Sequence, residues 1–483
     1  MKKNLVLIMV DQLRYDCLHF AGNSIISTPN LDQLAATGTF FTQAYSAVPS
    51  CVPARATLMT GLHAKNHGKV GYEDGTNWDY QTTLAHEFAK RGYYSKCVGK
   101  MHVSPPRKLC GYHHIDLHDG YLHHNRKYHQ PYNEQFQFAD DYLDWYKEQK
   151  GVHADLTDVG LDCNSWVARP WAEEERLHPT NWVVTKGIEF LRKRDTTMPF
   201  FLKLSFTRPH SPLDPPSYYF DLYKDKVDSS MIGSWEEETE FAHPTFSTIA
   251  KMGVLPLEDK KRAIAAYYGL ITHIDHQIGR FMIALEEHQL LENTIIAFVS
   301  DHGDQLGEHH LYRKGFPYQG SIHIPLIIKG NGIPTQTVNH LVELCDLMPT
   351  LVSLASNEAV TANIDGHDLS DYIKGNKNSY RDYLHGEHEM GEYSSQFILT
   401  QKYKYIWYSH TGKEQLFDLE EDPNELRDIK EQHQEVLQDL RQLLIDELED
   451  REEGFVHEKQ LVTTTHTKPI LEQKDEFFRN TNG

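Results

Sequence analysis

Four small groups of polar residues stand where apolar runs end, and their side chains are of the kinds that hold metal ions and anions. Asp11-Gln12 follows the run from Leu5 to Val10, Lys100-Met101-His102 follows a run ending at Val98, and His210 lies just past Phe206. Asp301-His302-Gly303-Asp304 closes the set after Val299. Carboxylates and imidazoles bind divalent cations, while lysine and protonated histidine bind anions. The carboxyl ends of parallel strands lie along one edge of their sheet, where such folds place ligands, so groups distant in sequence converge there. Taken singly, a carboxylate after a strand is more often a helix cap than a ligand.

A different signal is the run Cys51 to Gly61, CVPARATLMTG. Proline in the first turn and glycine just past the end bracket one helix. Cys51 then sits in the positive field of the helix amino terminus, a position suited to an anion. On composition alone, a buried structural cysteine is the commoner reading.

The elements that must position these residues alternate between short apolar runs and helical patterns, which predicts an α/β fold with a large, mostly parallel sheet between helices. Strands are predicted at Leu5 to Val10, Tyr93 to Val98, Phe200 to Phe206, Thr294 to Val299 and Pro325 to Ile328. Helices are predicted at Leu31 to Thr37, Thr83 to Arg91, Trp182 to Arg194, Lys260 to Glu287 and Asp346 to Ala355. Arg107 to Thr180 is rich in His, Tyr, Trp and charge without a clear period, and reads as a long insertion at one end of the sheet, where loops carry specificity. Asn357 to Tyr380 reads as a linker. A catalytic domain over 1–380 and a smaller unit over 381–483 follow, the latter with antiparallel strands around a Thr411-Gly412 turn and one helix from Gln432 to Glu449. The polar tail beyond Val456 is expected to wrap or fray.

These motifs together resemble the formylglycine-dependent sulfatase family of the alkaline-phosphatase-like superfamily. Its signature, C-x-P-x-R followed by T-G, matches Cys51, Pro53, Arg55, Thr60 and Gly61. The match continues in order through GKMH at Gly99 to His102, R-P-H-S-P around His210, SDHGD at Ser300 to Asp304 and the carboxy-terminal QLFDLEEDPNE. The resemblance implies an alkaline-phosphatase-like fold and hydrolysis of a carbohydrate, aryl or alkyl sulfate monoester. It implies Asp11, Gln12, Asp301 and His302 as ligands of one divalent metal ion, with Cys51, oxidised to formylglycine by a maturation enzyme, completing the shell. Arg55 would orient the aldehyde hydrate, Lys100 and Lys314 would hold sulfate oxygens, His102 would serve the hydrate and His210 would face the leaving group. Many relatives carry Asp where this chain has Gln12 and Asn where it has His302. With less formal charge and one nitrogen ligand, calcium remains the expected ion and manganese or magnesium the alternatives.

Two rival functions stand beside this reading. A phosphonate monoester or phosphodiester hydrolase of the same superfamily shares the Cys signature, but the Lys100-x-His102 pair follows the sulfatase pattern. A non-catalytic binding protein on the same fold is opposed by the intact Cys51, Arg55, Lys100, His102, His210 and Lys314. Among the other histidines, His67 reads equally as a site neighbour or a turn residue, and His309 and His310 equally as substrate contacts or loop residues. His273 and His276 read as packing or surface residues. His113, His114, His118, His123 and His124 lack clean ligand spacing and read as a polar loop.

Composition limits partners and location. With 483 residues and 39% hydrophobic content the chain can bury a large core, and a net charge of -21 opposes nucleic acid and anionic membranes. An anionic substrate therefore needs a local positive site. The six cysteines form no CxxC pair, and the amino-terminal apolar run is short and broken by Asp11, so it reads as a strand rather than a leader. Cytoplasmic residence is the expectation.

Overall fold

A computed structural model describes residues 2–122, 140–156, 159–228, 230, 232–233, 241–245, 247–375 and 381–472. Its strands in chain order are β1 (Asn4–Asp11), β2 (Thr39–Phe41), β3 (Ala44–Tyr45), β4 (Tyr94–Gly99), β5 (His114–Leu117), β6 (Phe200–Pro209), β7 (Thr294–Ser300), β8 (Leu326–Lys329), β9 (Gln336–Val338) and β10 (Val342–Glu343). Eight of them form the main sheet in the order β5-β4-β6-β1-β7-β8-β2-β9, and β3 pairs with β10. The run from β5 to β7 is parallel throughout. β8 runs antiparallel to both β7 and β2, so the parallel rule fails at that side of the sheet.

β1 is buried along its whole length because both faces of the sheet are covered. Val6, Ile8 and Val10 pack with Ile274 and Phe281 of the helix Leu257–Glu287 and with Trp182 of the helix Pro179–Lys193. Leu5, Leu7 and Met9 face the other way, onto Val52 and Leu58 of the helix Cys51–Thr60 and Met348 and Leu351 of the helix Leu347–Ser356. This alternation is the period of a strand. The predicted helices begin earlier than expected where proline opens them: Pro29 and Pro179 are first-turn residues.

Two expectations need correction. The stretch from Arg107 to Thr180 is part of the sheet and core as well as loop, since it supplies β5, the helix Asp141–Lys150 and the buried Tyr121, Tyr142 and Trp171. Its aromatic residues pack inward and share no single period, because Tyr142 lies on the helix Asp141–Lys150 while Tyr121 and Trp171 come from irregular backbone. The Asn357 to Tyr380 linker packs too: Leu369, Tyr372 and Ile373 are buried around the short helix Ser370–Ile373. Residues 376–380, like His123 and His124, lie outside the described residues.

Beyond the linker stands a four-stranded antiparallel sheet of β11 (Leu384–His388), β12 (Ser395–Leu399), β13 (Tyr403–Tyr408) and β14 (Glu414–Asp418). One face, with Ile398, Tyr405 and Trp407, is covered by Leu437, Leu440 and Leu444 of the helix Gln434–Leu448. The other, with Phe397, Ile406 and Phe417, shares a core with Tyr45, Phe316 and Tyr318. The tail wraps: Val70 N donates to Pro469 O at 2.9 Å and Leu471 N to Gly68 O at 2.9 Å. Among the described residues no helix is long and apolar enough to cross a membrane.

Arg381 fastens this second sheet by donating to Glu343 at 3.0 Å and to Asp346 at 2.7 Å, and His63 Nε2 meets the same Glu343 oxygen at 3.0 Å. Burial works against the charge on His63, but Glu343 and Asp365 outweigh it and Arg381, lifting His63 from 6.5 to about 9. Burial likewise raises Glu343, and His63 and Arg381 overcome it, bringing its pKa from 4.5 to about 2. A raised histidine contributes stability in full below its unfolded pKa and loses it as pH rises through the folded one. The Tm should therefore fall between pH 6.5 and about 9 in part through His63. In His63→Gln that limb should be flatter, as read by calorimetry across the range; an unchanged difference between the two curves would remove His63 from the account.

Candidate active site

β4, β6, β1 and β7 are neighbours and mutually parallel, so their carboxyl ends form one continuous edge. Asp11 is the last residue of β1, Lys100 follows β4, His210 follows β6 and Asp301 follows β7. The predicted convergence is what the sheet order produces. Gly99 permits it at β4, because its φ of +98° and the 2.0 Å that would separate a Cβ from Ser205 O exclude other residues. Cys51 enters from the opposite side as the first residue of the helix Cys51–Thr60, which ends on Gly61 in the left-handed conformation.

At the floor of this edge Asp11, Cys51, Asp301 and His302 bring one ligand atom each to within 4.8 Å of one another. Cys51 Sγ lies 3.2 Å from His302 Nε2 and 3.5 Å from Asp11 Oδ1. The His302 Nδ1 meets Gly303 O at 3.0 Å; as an N–H donor there, it leaves Nε2 as an acceptor turned toward the carboxylates. Gln12 joins through Oε1, which accepts from Lys314 at 2.7 Å, while Nε2 donates to Asp304 at 2.5 Å. Burial disfavours charge on His302, yet Asp301 and Cys51 overcome it and raise its pKa. A buried imidazole driven toward protonation marks a site with unbalanced negative charge, and oxygen donors with one imidazole suit a divalent cation.

Two backbone strains bear on this floor. Gln12 has φ 69° and His102 φ 57°, uncommon for residues with a side chain. Each is held by a carboxylate: Gln12 N donates to Asp301 at 3.0 Å, and His102 N donates to Asp119 at 3.0 Å.

Above the floor is a cavity of about 170 Å³ whose walls include Cys51, Lys100, His102, His210 and Lys314. Asp11, Gln12, Arg55, Asp301 and His302 lie beneath it, fully buried. Lys100 Nζ pairs with Asp11. Burial raises the Cys51 thiol, but Lys100, Lys314 and His302 hold it well below the ordinary thiol range. His210 Nδ1 meets Ser211 O at 2.8 Å, and burial and then Lys314 lower its pKa. His102 Nε2 lies 3.2 Å from Asp74 Oδ1, and its ring also meets Cys51.

The sequence reading missed Tyr72, Asp74, Asp119, Lys251, His388 and Met390, all on the cavity wall. Asp119 stands two residues past β5, a strand the sequence did not reveal, and the others come from loops and from the second sheet, where no strand-end rule of the main sheet points to them. Of the histidines left open, His67 sits behind the signature helix, 2.9 Å from Thr57 Oγ1, and His309 packs on Tyr318; neither they nor His310 line the cavity. His118 pairs with Asp140 at 2.8 Å, His113 with Ser95 at 2.9 Å and His114 with Asp116 at 3.1 Å, as separate structural contacts. His273 is buried and His276 half-buried.

Arg55 is 0% exposed and spends its guanidinium on three elements, with Nε and Nη2 on Asp301 at 3.0 and 2.9 Å and Nη1 on Lys100 O and Ser205 Oγ at 3.0 Å each. Arg55→Met should cost about 3–5 kcal/mol in urea unfolding, since it strands a buried carboxylate. Arg55→Lys, which keeps the charge but loses the fork, should fall between; equal stability of all three proteins would contradict this role.

Comparison with known proteins accords with this geometry. A family model described as Sulfatase matches residues 3–357, and one described as N-sulphoglucosamine sulphohydrolase, C-terminal, matches 307–453. An arylsulfatase of Clostridium perfringens is 51% identical over 470 residues, 96% of this chain and 98% of its own. A choline-sulfatase of Rhizobium meliloti is 29% identical, covering 89% and 83%. Among solved structures, a phosphonate monoester hydrolase of Agrobacterium radiobacter superposes with TM-score 0.77 at 24% identity over 92% of this chain and 95% of its own, a likeness of fold. The chain therefore belongs to the sulfatase family, hydrolases of sulfate esters with the alkaline-phosphatase-like fold.

Proposed function

We propose that this sulfatase cleaves a sulfate monoester in the strand-edge cavity, with Cys51, matured to formylglycine, as the nucleophile and one divalent ion held by Asp11, Gln12, Asp301 and His302. The observation that carries it is Cys51 itself, which opens a buried helix, faces the cavity and lies within 3.5 Å of both Asp11 and His302. Family membership implies a metal ion and formylglycine. Calcium is the proposed ion, with manganese or magnesium as alternatives, and a formylglycine-generating enzyme is the proposed partner. An aryl sulfate is the favoured ester class, by likeness to the Clostridium perfringens relative. The six cysteines, all buried and none in a disulfide, support a reducing, cytoplasmic location. Residues 1–380 carry the chemistry in this reading, and 381–483 are a subdomain that completes the wall through His388 and Met390.

Formylglycine at Cys51 would supply, as its hydrate, one hydroxyl as nucleophile toward sulfur and a second whose loss of a proton would allow sulfate to leave. A divalent ion held by Asp11, Gln12, Asp301 and His302 would supply positive charge that favours a deprotonated oxygen. The chain's own residues do the rest. Arg55, locked to Asp301, orients the nucleophile from below. Lys100 and Lys314 neutralise the sulfate oxygens, a preorganised positive field in a pocket shielded from water. His102, steadied by Asp74, takes a proton from the second hydroxyl. His210, with Nδ1 engaged by Ser211 O, offers its other ring nitrogen to the departing oxygen. Lys314 depresses the His210 pKa in the empty cavity, and the negative charge of an arriving sulfate opposes that effect.

Protein made together with the maturation enzyme should hydrolyse an aryl sulfate faster than the matching phosphonate monoester and phosphodiester, should lose turnover on chelation, and should lose it in Cys51→Ala. Mass spectrometry should find the thiol-to-aldehyde loss at Cys51. Full turnover with only free thiol present, or the reverse ranking of esters, would overturn the reading.

A general acid matters most for a poor leaving group, because a phenolate departs nearly unaided and a sugar alkoxide does not. His210→Ala should lose about 10²- to 10⁴-fold on alkyl or sugar sulfates and far less on nitrophenyl sulfate. Metal content should stay unchanged and the dependence of rate on leaving-group pKa should steepen. A uniform loss across esters would make His210 a binding residue.

A further inference from the structure

Among the described residues one further cluster of metal-binding side chains has no part in the proposed reaction. His63, Glu343 and Cys345 each bring a ligand atom to within 4.8 Å of the others. Beside them is a cavity of about 310 Å³ with His63, Glu343, His367 and Arg381 in its wall, which shares no wall residue with the strand-edge cavity. Glu343 and Cys345 are buried and His63 is half-buried. The backbone fixes all three. His63 N donates to Asp365 at 2.7 Å, while Asp365 N and Gly366 N donate to Gly61 O at 2.9 and 3.0 Å, which ties His63 to the end of the signature helix. Gly366 packs so closely on the turn Leu344–Asp346 that a Cβ there would lie 2.1 Å from Cys345 O. Glu343 ends β10 and joins the same turn, its N donating to Asp346 at 2.9 Å.

The ion pairs of this region use one oxygen of Glu343 and leave the other. Arg381 and His63 both meet Oε1 at 3.0 Å, and Arg381 turns its second nitrogen to Asp346. Oε2 is buried and, among the described residues, without a hydrogen-bond partner, a state that costs free energy. The Cys345 sulfur stands against the Glu343 carboxylate and lies 3.7 Å from Asp346 Oδ1. A sulfur, an imidazole nitrogen and one carboxylate oxygen are the donors that zinc selects, unlike the oxygen-rich floor of the strand-edge site, which suits calcium. Charge is conserved as well. A divalent ion enters as two protons leave, one from the Cys345 thiol and one from His63, whose pKa is lifted to about 9. We propose that His63, Glu343 and Cys345 form a second metal site, which takes Zn²⁺ on three protein ligands with its fourth position open to the adjoining cavity. The ion would clamp the end of the Cys51 helix to β10 and the turn after it, a structural role apart from the chemistry at the strand edge.

The test uses the full-length Cys51→Ala protein, whose strand-edge site has no thiol, with calcium in excess to occupy that site and Co²⁺ as the optical probe. One equivalent of Co²⁺ should produce a thiolate-to-metal charge-transfer band in the near ultraviolet, and Zn²⁺ should abolish it by displacement. Adding Cys345→Ser should remove the band. Adding His63→Gln, at a half-buried position, should weaken Co²⁺ binding by about tenfold or more, since losing a ligand costs at least as much as losing a ligand's hydrogen-bond partner. If Cys345→Ser does not fold, the His63→Gln titration decides, together with zinc X-ray absorption of the Cys51→Ala protein, which should show one sulfur neighbour at about 2.3 Å. Absence of the band, a band retained by folded Cys345→Ser, or an unchanged affinity in His63→Gln would each overturn the site.

Discussion

The ion pair between Arg55 and Asp301 is the constraint on which the rest of the site depends. An arginine with no exposure is tolerated only if its donors find partners, and this one meets the end of β7, the backbone just after β4 and a serine of β6. The guanidinium is flat and its donors point in fixed directions, so three strand ends and one helix cannot shift independently. Asp301 passes the constraint on. Its second oxygen accepts from Gln12 N and His302 N, each at 3.0 Å, which sets the two residues proposed to share the ion with it. The left-handed backbone at Gln12 costs about 1–3 kcal/mol. That cost is tolerable because both neighbouring strands and the Arg55 fork already fix Asp301.

Charge is the second organising quantity. The chain carries a net charge of -21, yet its cavity gathers Lys100, Lys314, Lys251 and Arg313 around a floor of buried carboxylates. At long range the protein repels anions, and selection of a sulfate ester has to occur at contact distance, where burial strengthens each lysine. The floor and the walls need each other. Lys100 pairs with Asp11 and Lys314 with Gln12, so the groups that neutralise substrate are also those that stabilise the carboxylates beneath.

What the sequence made legible follows from where local rules reach. Strand ends were readable because β1, β4, β6 and β7 are continuous apolar runs closed by polar residues, and a parallel sheet aligns such ends whatever the strand order. The helix of Cys51 was readable from Pro53 and Gly61, and all ten residues assigned to the site lie at the cavity or directly beneath it. The rest of the wall was not. Tyr72 and Asp74 belong to a loop held by backbone bonds, and His388 ends β11, whose approach to Ser50 at 2.9 Å spans 338 positions of sequence. No periodicity encodes a contact of that kind. The short β2, β5 and β9 were missed for a related reason, since three or four residues cannot display a period and their pairing is decided by the sheet they join.

That contact between His388 and Ser50 also explains why the second sheet is more than an appendage. Ser50 is the N-cap of the helix that begins with Cys51, so the small sheet touches the helix one residue from the nucleophile. The tail adds a second tie: Val70 and Gly71 receive Pro469 on one side and Glu389 on the other, and this strip leads directly to Tyr72 and Asp74. A physical division of labour follows. The floor is desolvated and over-determined by hydrogen bonds, which suits it to one charge-separated reaction at sulfur. The rim is built from tethered segments that keep contact with water, where exchanging a side chain leaves few buried polar groups unpaired. Chemistry at sulfur and recognition of the alcohol are thus set by different parts of the chain, and the alcohol can vary without disturbing the Arg55 fork that holds the floor together.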